Sequence, residues 1–241
     1  MSDKRHKYAL VAVWGFALVV GAASLSATGD SGSSTTKMMA IGGGQLCVTE
    51  GAVKRGRGVE FSIDMPKTRA FVAAETAQTV EAHFTYLGET AQTAALGSGA
   101  IRQQFGLKLR AQDACNLVYA MWRFSPKNEV VVSVKSNPGM HESSECGNKG
   151  YTNIKASFHS AVPEVTKGSR HVLYAEMDGQ RMTVSADGRV VWEGSVGAGA
   201  VTLDGPVGIR SDNVRIELEL FAAQAGGGRA GTIPACKAYT E

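Results

Sequence analysis

The sequence predicts an all-β protein, a two-sheet antiparallel β-sandwich preceded by an N-terminal signal or anchor helix and a flexible linker. Three observations predict it. Short runs of alternating apolar and polar residues recur between Val59 and Phe221, with Gly-rich breaks between them. Two Asp-Gly dipeptides separate β-rich runs late in the chain. A basic, then apolar, then small-residue segment opens the chain.

That opening segment is read first. Lys4, Arg5 and Lys7 precede Tyr8–Ala23, sixteen residues without a charge, and Ser24-Leu25-Ser26-Ala27 follows. This is the order of a secretory signal, with cleavage expected after Ser26 or Ala27. The apolar run is slightly shorter than the ~20 residues a spanning helix needs. If the segment is retained as an anchor, its basic flank places the domain outside the cytoplasm, and it is then the only membrane contact. Both outcomes predict a secreted, periplasmic or cell-surface domain. The organisation expected is 1–27 signal peptide or membrane anchor, 28–47 Ser/Thr/Gly-rich linker, 48–221 β-sandwich and 222–241 Gly-rich tail.

Composition bounds the function. The 241 residues are 44% hydrophobic, enough for a core, which excludes wholesale disorder. The net charge of +3 is too small to argue for nucleic acid, and no nucleic-acid partner is expected. Three of the 25 basic residues and one of the 22 acidic residues lie in the signal, so the remaining domain is close to balance. The four cysteines, Cys47, Cys115, Cys146 and Cys236, form no C-x-x-C pair, which removes the usual zinc and redox readings. An even count in an exported chain predicts two disulfides, with three pairings open. Preferred are Cys47–Cys236, tying the ends of the domain, and Cys115–Cys146, clamping a central insertion.

Strands are expected at Val59–Asp64, Arg69–Ala74, Val80–Leu87, Ile101–Arg110, Asn116–Phe124, Glu129–Val134, Thr152–Ala156, Gly205–Ile209 and Val214–Phe221. The stretch Thr76–Thr93 is rich in helix formers, but the alternation of Val80, Ala82, Phe84 and Tyr86 argues for strand. Residues 170–194 read as a three-stranded meander turning at Asp178-Gly179 and Asp187-Gly188. A type I′ turn needs positive φ at both central residues, which Asp tolerates and Gly adopts freely. The middle strand then puts Met182 and Val184 on one face and Arg181, Thr183 and Ser185 on the other.

The stretches His171-Val-Leu-Tyr-Ala-Glu, Met182-Thr-Val-Ser-Ala-Asp-Gly-Arg-Val-Val-Trp-Glu-Gly and Gly205-Pro-Val-Gly-Ile-Arg-Ser-Asp-Asn together resemble the concanavalin A-like lectin/glucanase superfamily. The resemblance covers residues 59–221 as architecture and about 170–221 as recognisable pattern. It implies a jelly roll of two curved antiparallel sheets, with carbohydrate commonly bound on the concave one. Lectins, laminin-G-like modules and glycan hydrolases share that architecture, so the resemblance does not fix a function.

Catalytic signatures are incomplete. The glucanase branch carries Glu-x-Asp-x-x-Glu or a one-residue variant on a strand, which sets carboxylates on one face at the separation a retaining pair needs. Glu60 and Asp64 share a face but lie ~13 Å apart by strand rise. Glu176 and Asp178 also share a face, with Asp178 explained by its turn. His83, His141, His159 and His171 show no ligand spacing, and neither Gly-x-Ser-x-Gly nor a phosphate loop occurs. Asp212-Asn213 reads as turn chemistry rather than a calcium site. No cofactor and no metal are expected.

Parity is more informative. In Ile101–Arg110, Arg102, Gln104, Lys108 and Arg110 alternate with Phe105, Leu107 and Leu109. In Asn116–Phe124, Tyr119 and Arg123 oppose Val118, Ala120, Trp122 and Phe124. In Glu129–Lys135, Ser133 and Lys135 alternate with Val130, Val132 and Val134. If these strands are neighbours, one face is core and the other presents Arg102, Gln104, Lys108, Tyr119, Arg123 and Lys135 to sugar hydroxyls, carboxylates or sulfates. The long polar loop Asn137–Tyr151 borders that face, with Asn148 and Tyr151 at its edge. The reading is an exported, non-enzymatic binding module for a glycan or cell-envelope polysaccharide. The alternatives are a polysaccharide-cleaving hydrolase or lyase, and a structural envelope or protein-interaction domain.

Overall fold

The computed structural model describes residues 37–73, 77–223 and 236. The signal or anchor segment, residues 28–36 of the expected linker, and the tail apart from residues 222, 223 and 236 lie outside the described residues. In chain order the strands are β1 (Met38–Ile41), β2 (Leu46–Glu50), β3 (Lys54–Arg55), β4 (Phe61–Val72), β5 (Thr79–Glu89), β6 (Gln103–Leu109) and β7 (Leu117–Ser125). There follow β8 (Glu129–Lys135), β9 (Tyr151–Asn153), β10 (Phe158–His159), β11 (Arg170–Asp178), β12 (Arg181–Ala186), β13 (Arg189–Ser195) and β14 (Gly208–Ala223).

Every pairing among them is antiparallel, and β14 organises the sheet. On one edge its first half pairs with β6 and its second half with β5. On the other edge it pairs with β4 and then with β1. The hydrogen-bonded ladder therefore curls into two layers. One runs β2–β4–β14–β6–β7–β8–β9, and the other runs β4–β14–β5–β11–β12–β13–β10. Their inner faces form one core, in which Phe84 of β5 meets Phe105 and Trp122 at centroid distances of 5.1 and 5.8 Å. Phe105, Leu107, Leu109, Val118, Ala120, Trp122 and Val132 are inside, as parity requires.

The change of partner in β14 falls at Asn213, which has φ of 55° and is completely buried. The β14–β4 register skips from Asp212↔Lys67 to Val214↔Met65, which sets Pro66 opposite Asn213. Proline offers no N–H to the ladder, so both strands bend where the pairing is already interrupted. The Asn213 amide accepts from the Ala94 N–H at 2.7 Å and donates to the carbonyls of Ala94 and Arg102. It thereby fastens the β5–β6 connection to the corner.

Several boundaries differ from the sequence reading. The strands expected at 59–64 and 69–74 are one strand, β4, because Pro66 sits at the bend rather than in a loop. Gly205–Ile209 and Val214–Phe221 join into β14 across Asp212-Asn213, which is strand and not turn. Met38–Ile41 and Leu46–Cys47 pair within the sheet although they fall in the expected linker, since their apolar residues complete the edges beside β14 and β4. Asp187 and Gly188 both have positive φ, as a type I′ turn requires. At the other hairpin Asp178 pairs with Arg181, so the loop is Gly179-Gln180 and Asp178 belongs to its strand.

The cysteines are joined as Cys47–Cys236 and Cys115–Cys146. The second bridge spans 31 residues of sequence and ties the start of β7 to a helical turn, Ser143–Cys146, in the 137–151 loop. Closing a loop of that size contributes about 3–4 kcal/mol in the chain-entropy account. Asn213→Ala is expected to destabilise the protein by about 2–4 kcal/mol, because two buried carbonyls and one N–H lose their partner and Ala must adopt a left-handed φ. Asn213→Gly keeps the φ and loses only the hydrogen bonds, so urea denaturation should place it about 1 kcal/mol above the Ala variant.

Candidate functional site

The outer face of the β2–β4–β14–β6–β7–β8–β9 layer carries a cleft of about 590 Å³. Its floor is a grid set by strand register. One row runs Glu50, Arg69, Arg210, Gly106, Met121 across β2, β4, β14, β6 and β7. The next runs Phe71, Gly208, Lys108, Tyr119, Ser133. Across the β14–β6 pair each long cation thus faces a glycine, Arg210 opposite Gly106 and Lys108 opposite Gly208. A Cβ at Gly106 would lie 2.5 Å from Met121 Sδ, and one at Gly208 would lie 2.2 Å from the Ala70 carbonyl oxygen. Side chains at those two places would therefore break the packing of the floor.

The walls come from three segments. Leu96 and Gly97 of the β5–β6 connection form one side. Ala111–Ala114 and the 141–148 part of the polar loop form the other. Asn116 and Asn137 hold that loop from below. The Asn116 amide donates to Asp113 and to the Met140 carbonyl, and the Asn137 amide donates to the carbonyls of Cys115 and Lys149. Lys135 Nζ donates to the carbonyls of Ala114 and Gly147 at 3.1 and 3.0 Å and lies 3.1 Å from Cys146 Sγ. At the rim, His141 Nδ1 is 2.8 Å from Asp113 Oδ2.

Beneath the floor lies Asp212, whose side chain is 0% exposed. Its carboxylate receives Arg69 Nη2 at 2.6 Å, Arg210 Nε at 2.9 Å and Gln104 Nε2 at 2.6 Å. Burial alone would raise its pKa, but Arg69, Arg210 and the Gln104 hydrogen bond overcome that and hold it below the usual carboxylate range. Arg210 is likewise disfavoured by burial, more than offset by Asp212, so it stays a cation. It also donates to the Tyr151 hydroxyl at 3.2 Å and lies 5.2 Å over the Tyr119 ring. Tyr119 stacks on Tyr151 at a centroid distance of 6.0 Å, and its hydroxyl pKa is pushed up by burial and then by Tyr151.

Lys108 differs from Arg69, Arg210 and Lys135. It is 6% exposed and lines the cleft, and among the described residues its ammonium has neither a hydrogen bond nor an ion pair. Its pKa falls from 10.5 to about 7, mainly through burial and then through the charges of Arg69 and Arg210.

The structure divides the residues singled out by parity. Lys108, Tyr119, Lys135 and Tyr151 line the cleft. Gln104 does not, because its amide is spent on Asp212. Arg123 does not either, because it is one row further along and paired with Glu129 Oε1 at 3.0 Å. Arg102 precedes β6 and also stays outside. Two residues within the cleft are less available than expected. The Lys135 ammonium is occupied in buckling the wall, and Tyr119 is covered by Arg210 and Tyr151, so Tyr151 is the half-exposed aromatic.

Sequence reasoning missed Lys67, Arg69 and Arg210 and the buried role of Asp212. The signal was present, since Lys67 and Arg69, and again Arg210 and Asp212, are spaced two apart and share a face. It also missed a linear hydrogen-bonded chain, in which Ser169 Oγ lies 2.7 Å from His171 Nε2 and His171 Nδ1 lies 2.8 Å from Asp187 Oδ2. This resembles a nucleophile triad, but Ser169 Oγ donates to the Thr166 carbonyl and its own N–H is bonded to the same oxygen. His171 packs against Phe84 and Trp122. The chain therefore closes a turn. Among the described residues no three His, Cys, Asp or Glu side chains converge as a metal site, and Asp212 is held by arginines instead.

No model of a known protein family matches the chain, and no curated protein matches it. Solved structures share the fold. A carbohydrate binding module, CBM66 from Bacillus subtilis, superposes with a TM-score of 0.50 at 16% identity, over 74% of this chain and 92% of that one. The Crh5 transglycosylase in complex with NAG gives 0.44 at 13% identity, over 78% and 82% of the two chains. LamAcat from Zobellia galactanivorans gives 0.43 at 12% identity, over 70% and 79%. At these identities the likeness is one of fold alone.

The unpaired ammonium makes a stability prediction. Unfolded, Lys108 titrates near 10.5; folded, at about 7. Between those values the unfolded chain holds more protons, so this group makes stability rise with pH across that window. Lys108→Met, which removes a buried charge at similar length, should stabilise the protein at pH 6, by on the order of 3–5 kcal/mol at most. At pH 9.5 the native amine is already neutral, and the gain should shrink to on the order of 1 kcal/mol in urea denaturation. Asp212→Asn should act in the opposite sense. It leaves two guanidiniums uncompensated at pH 7 and costs about 2–4 kcal/mol. That penalty should narrow as pH falls below about 4 and through the depressed native value, where the wild-type carboxylate itself takes up a proton.

Proposed function

We propose that the protein is an exported, non-enzymatic glycan-binding module whose ligand seat is the cleft on the outer, concave face of the β14–β6–β7 layer. The observation that carries this reading is the cleft itself. Polar side chains from four strands, Arg69, Arg210, Lys108 and the half-exposed Tyr151, converge on it. Sites of this size with a few fixed polar groups are the usual form of a small-ligand pocket. Guanidinium groups already oriented by Asp212 bind hydroxyl and acid oxygens without further ordering cost.

Two further observations support the reading. A carbohydrate binding module shares the fold over most of its own length. Export is supported by the two disulfides together with the basic-apolar-small order of the first residues. The carboxylate pairs weighed for glycosidase chemistry, Glu60 with Asp64 and Glu176 with Asp178, lie outside the cleft, and the carboxylates that do line it, Glu50, Asp113 and Glu142, come from three separate segments.

A glycan array read with the purified full chain should show saturable binding to polysaccharide fragments. Tyr151→Ala should weaken that binding by roughly tenfold, about the contribution of one stacked aromatic, with an unchanged far-UV spectrum. Release of reducing ends or unsaturated products from a bound polymer would instead establish a cleaving enzyme. No response to any glycan would move the protein to the structural or protein-interaction class.

A further inference from the structure

The cleft is unevenly charged although the chain from residue 28 onward is close to balance. Five cations, Lys67, Arg69, Lys108, Lys135 and Arg210, line the cleft against three carboxylates, Glu50, Asp113 and Glu142, and a fourth, Asp212, is sealed under the floor and already shared by two guanidiniums. Arg69 has a second, longer contact with Glu50 at 3.7 Å. Lys108 has no hydrogen bond or ion pair among the described residues, and Glu50 favours its charge without pairing with it. A buried ammonium beside two guanidiniums is unfavourable in the empty protein, and an apolar side chain of the same length would fit the position at lower cost. An anion placed between Lys108 and the arginines removes that cost. The glycines facing Lys108 and Arg210 leave room for it.

Resting on the glycan-binding reading, we propose that the cleft recognises acidic glycans, seating a carboxylate or sulfate substituent against Lys108 between Arg69 and Arg210. Recognition is then dominated by charge-assisted hydrogen bonds in a water-poor site, and a neutral sugar of the same shape leaves the cation cluster uncompensated. Lys108, with its pKa near 7 in the empty cleft, also makes binding pH-dependent. The groups facing it are Lys67 and Arg69 of β4, Arg210 and Asp212 of β14, Tyr119 of β7, Lys135 of β8 and Glu50 of β2, with His141 and Asp113 at the rim. Of these, Lys108 is the group whose pKa, about 7, falls between pH 6 and 8.5, and His141 is the neighbouring group to be controlled for. His141 is raised by its bond to Asp113 and stays further from the floor.

The test compares ligands that differ only in charge: oligogalacturonate with its full methyl ester, and a sulfated galactan oligomer with its desulfated form, using calorimetry on the full chain. At least one acidic member is expected to bind about tenfold or more tighter than its neutral partner. Lys108→Met should bring the acidic ligand down to the neutral one's affinity, while thermal unfolding shows the variant folded. Wild-type affinity for the acidic ligand should fall as pH rises from 6 to 8.5, and Lys108→Arg, charged throughout, should flatten that fall.

Equal affinity for charged and uncharged partners would overturn acidic specificity while leaving glycan binding intact. A pH dependence that persists in Lys108→Arg and disappears in His141→Asn would overturn the role of Lys108. If neither acidic nor neutral glycans bind, the glycan-binding reading itself falls, and this inference with it.

Discussion

Two guanidinium groups on adjacent strands of one sheet face repel each other, and a sheet that buries them must supply a counter-charge within hydrogen-bond distance. Here that charge is Asp212, with no exposed side-chain surface and bonds to Arg69, Arg210 and Gln104. An isolated buried carboxylate would be protonated, and isolated buried arginines would not be tolerated; together they neutralise one another and fix one another's rotamers. The arrangement crosses three strands, β4, β14 and β6, so it also pins their register on the outer face. The Arg210 contacts with Tyr151 and Tyr119 extend the network to β7 and β9. The cleft floor is therefore an electrostatic unit rather than a set of independent surface side chains, and each member's position depends on the others.

Asp212 can serve this role because of the residue that follows it. Asn213 turns β14 from one layer into the other, so Asp212 is the last residue of the strand's cleft-side half and Val214 already belongs to the opposite layer. The same residue anchors the connection that supplies Leu96 and Gly97 to the cleft wall. Fold closure and site formation thus share two consecutive positions. A change at Asn213 acts on the cleft through backbone geometry, and a change at Asp212 acts on the fold through uncompensated charge.

Much of the architecture was legible in the alternation of residues. Phe105, Leu107 and Leu109 face the core, as their parity with Lys108 demands, and Met182 and Val184 are buried opposite Thr183 and Ser185. The Asp187-Gly188 turn was readable because few backbones need two positive φ values in succession. Parity could not tell a solvated face from a covered one. Gln104, Lys108 and Lys135 stand on the polar side, yet all three are buried, because the 137–151 loop and the β5–β6 connection fold over them. The strand corner was equally hidden. Pro66 and Asp212-Asn213 carry the local chemistry of loops, and only their pairing across β4 and β14 turns them into a bend within continuous strands.

Bulk charge misled in a more general way. Near neutrality of a domain says nothing about how charges are distributed within a cleft, because only their sum is fixed. Electrostatic energy in a low-dielectric recess depends on charges a few ångströms away, whereas charges on the far side of a sandwich are screened by solvent. Arg170 with Glu219 and Arg181 with Glu193 pair on exposed surfaces and contribute little to the field at Lys108. What sets that field is the ratio of cations to available carboxylates among the residues enclosing it. With Asp212 already committed to two arginines, Glu50, Asp113 and Glu142 are the carboxylates that face five lining cations, Lys67, Arg69, Lys108, Lys135 and Arg210. Burial and the neighbouring guanidiniums disfavour an ammonium at position 108, and that is the cost which the proposed acidic ligand would offset.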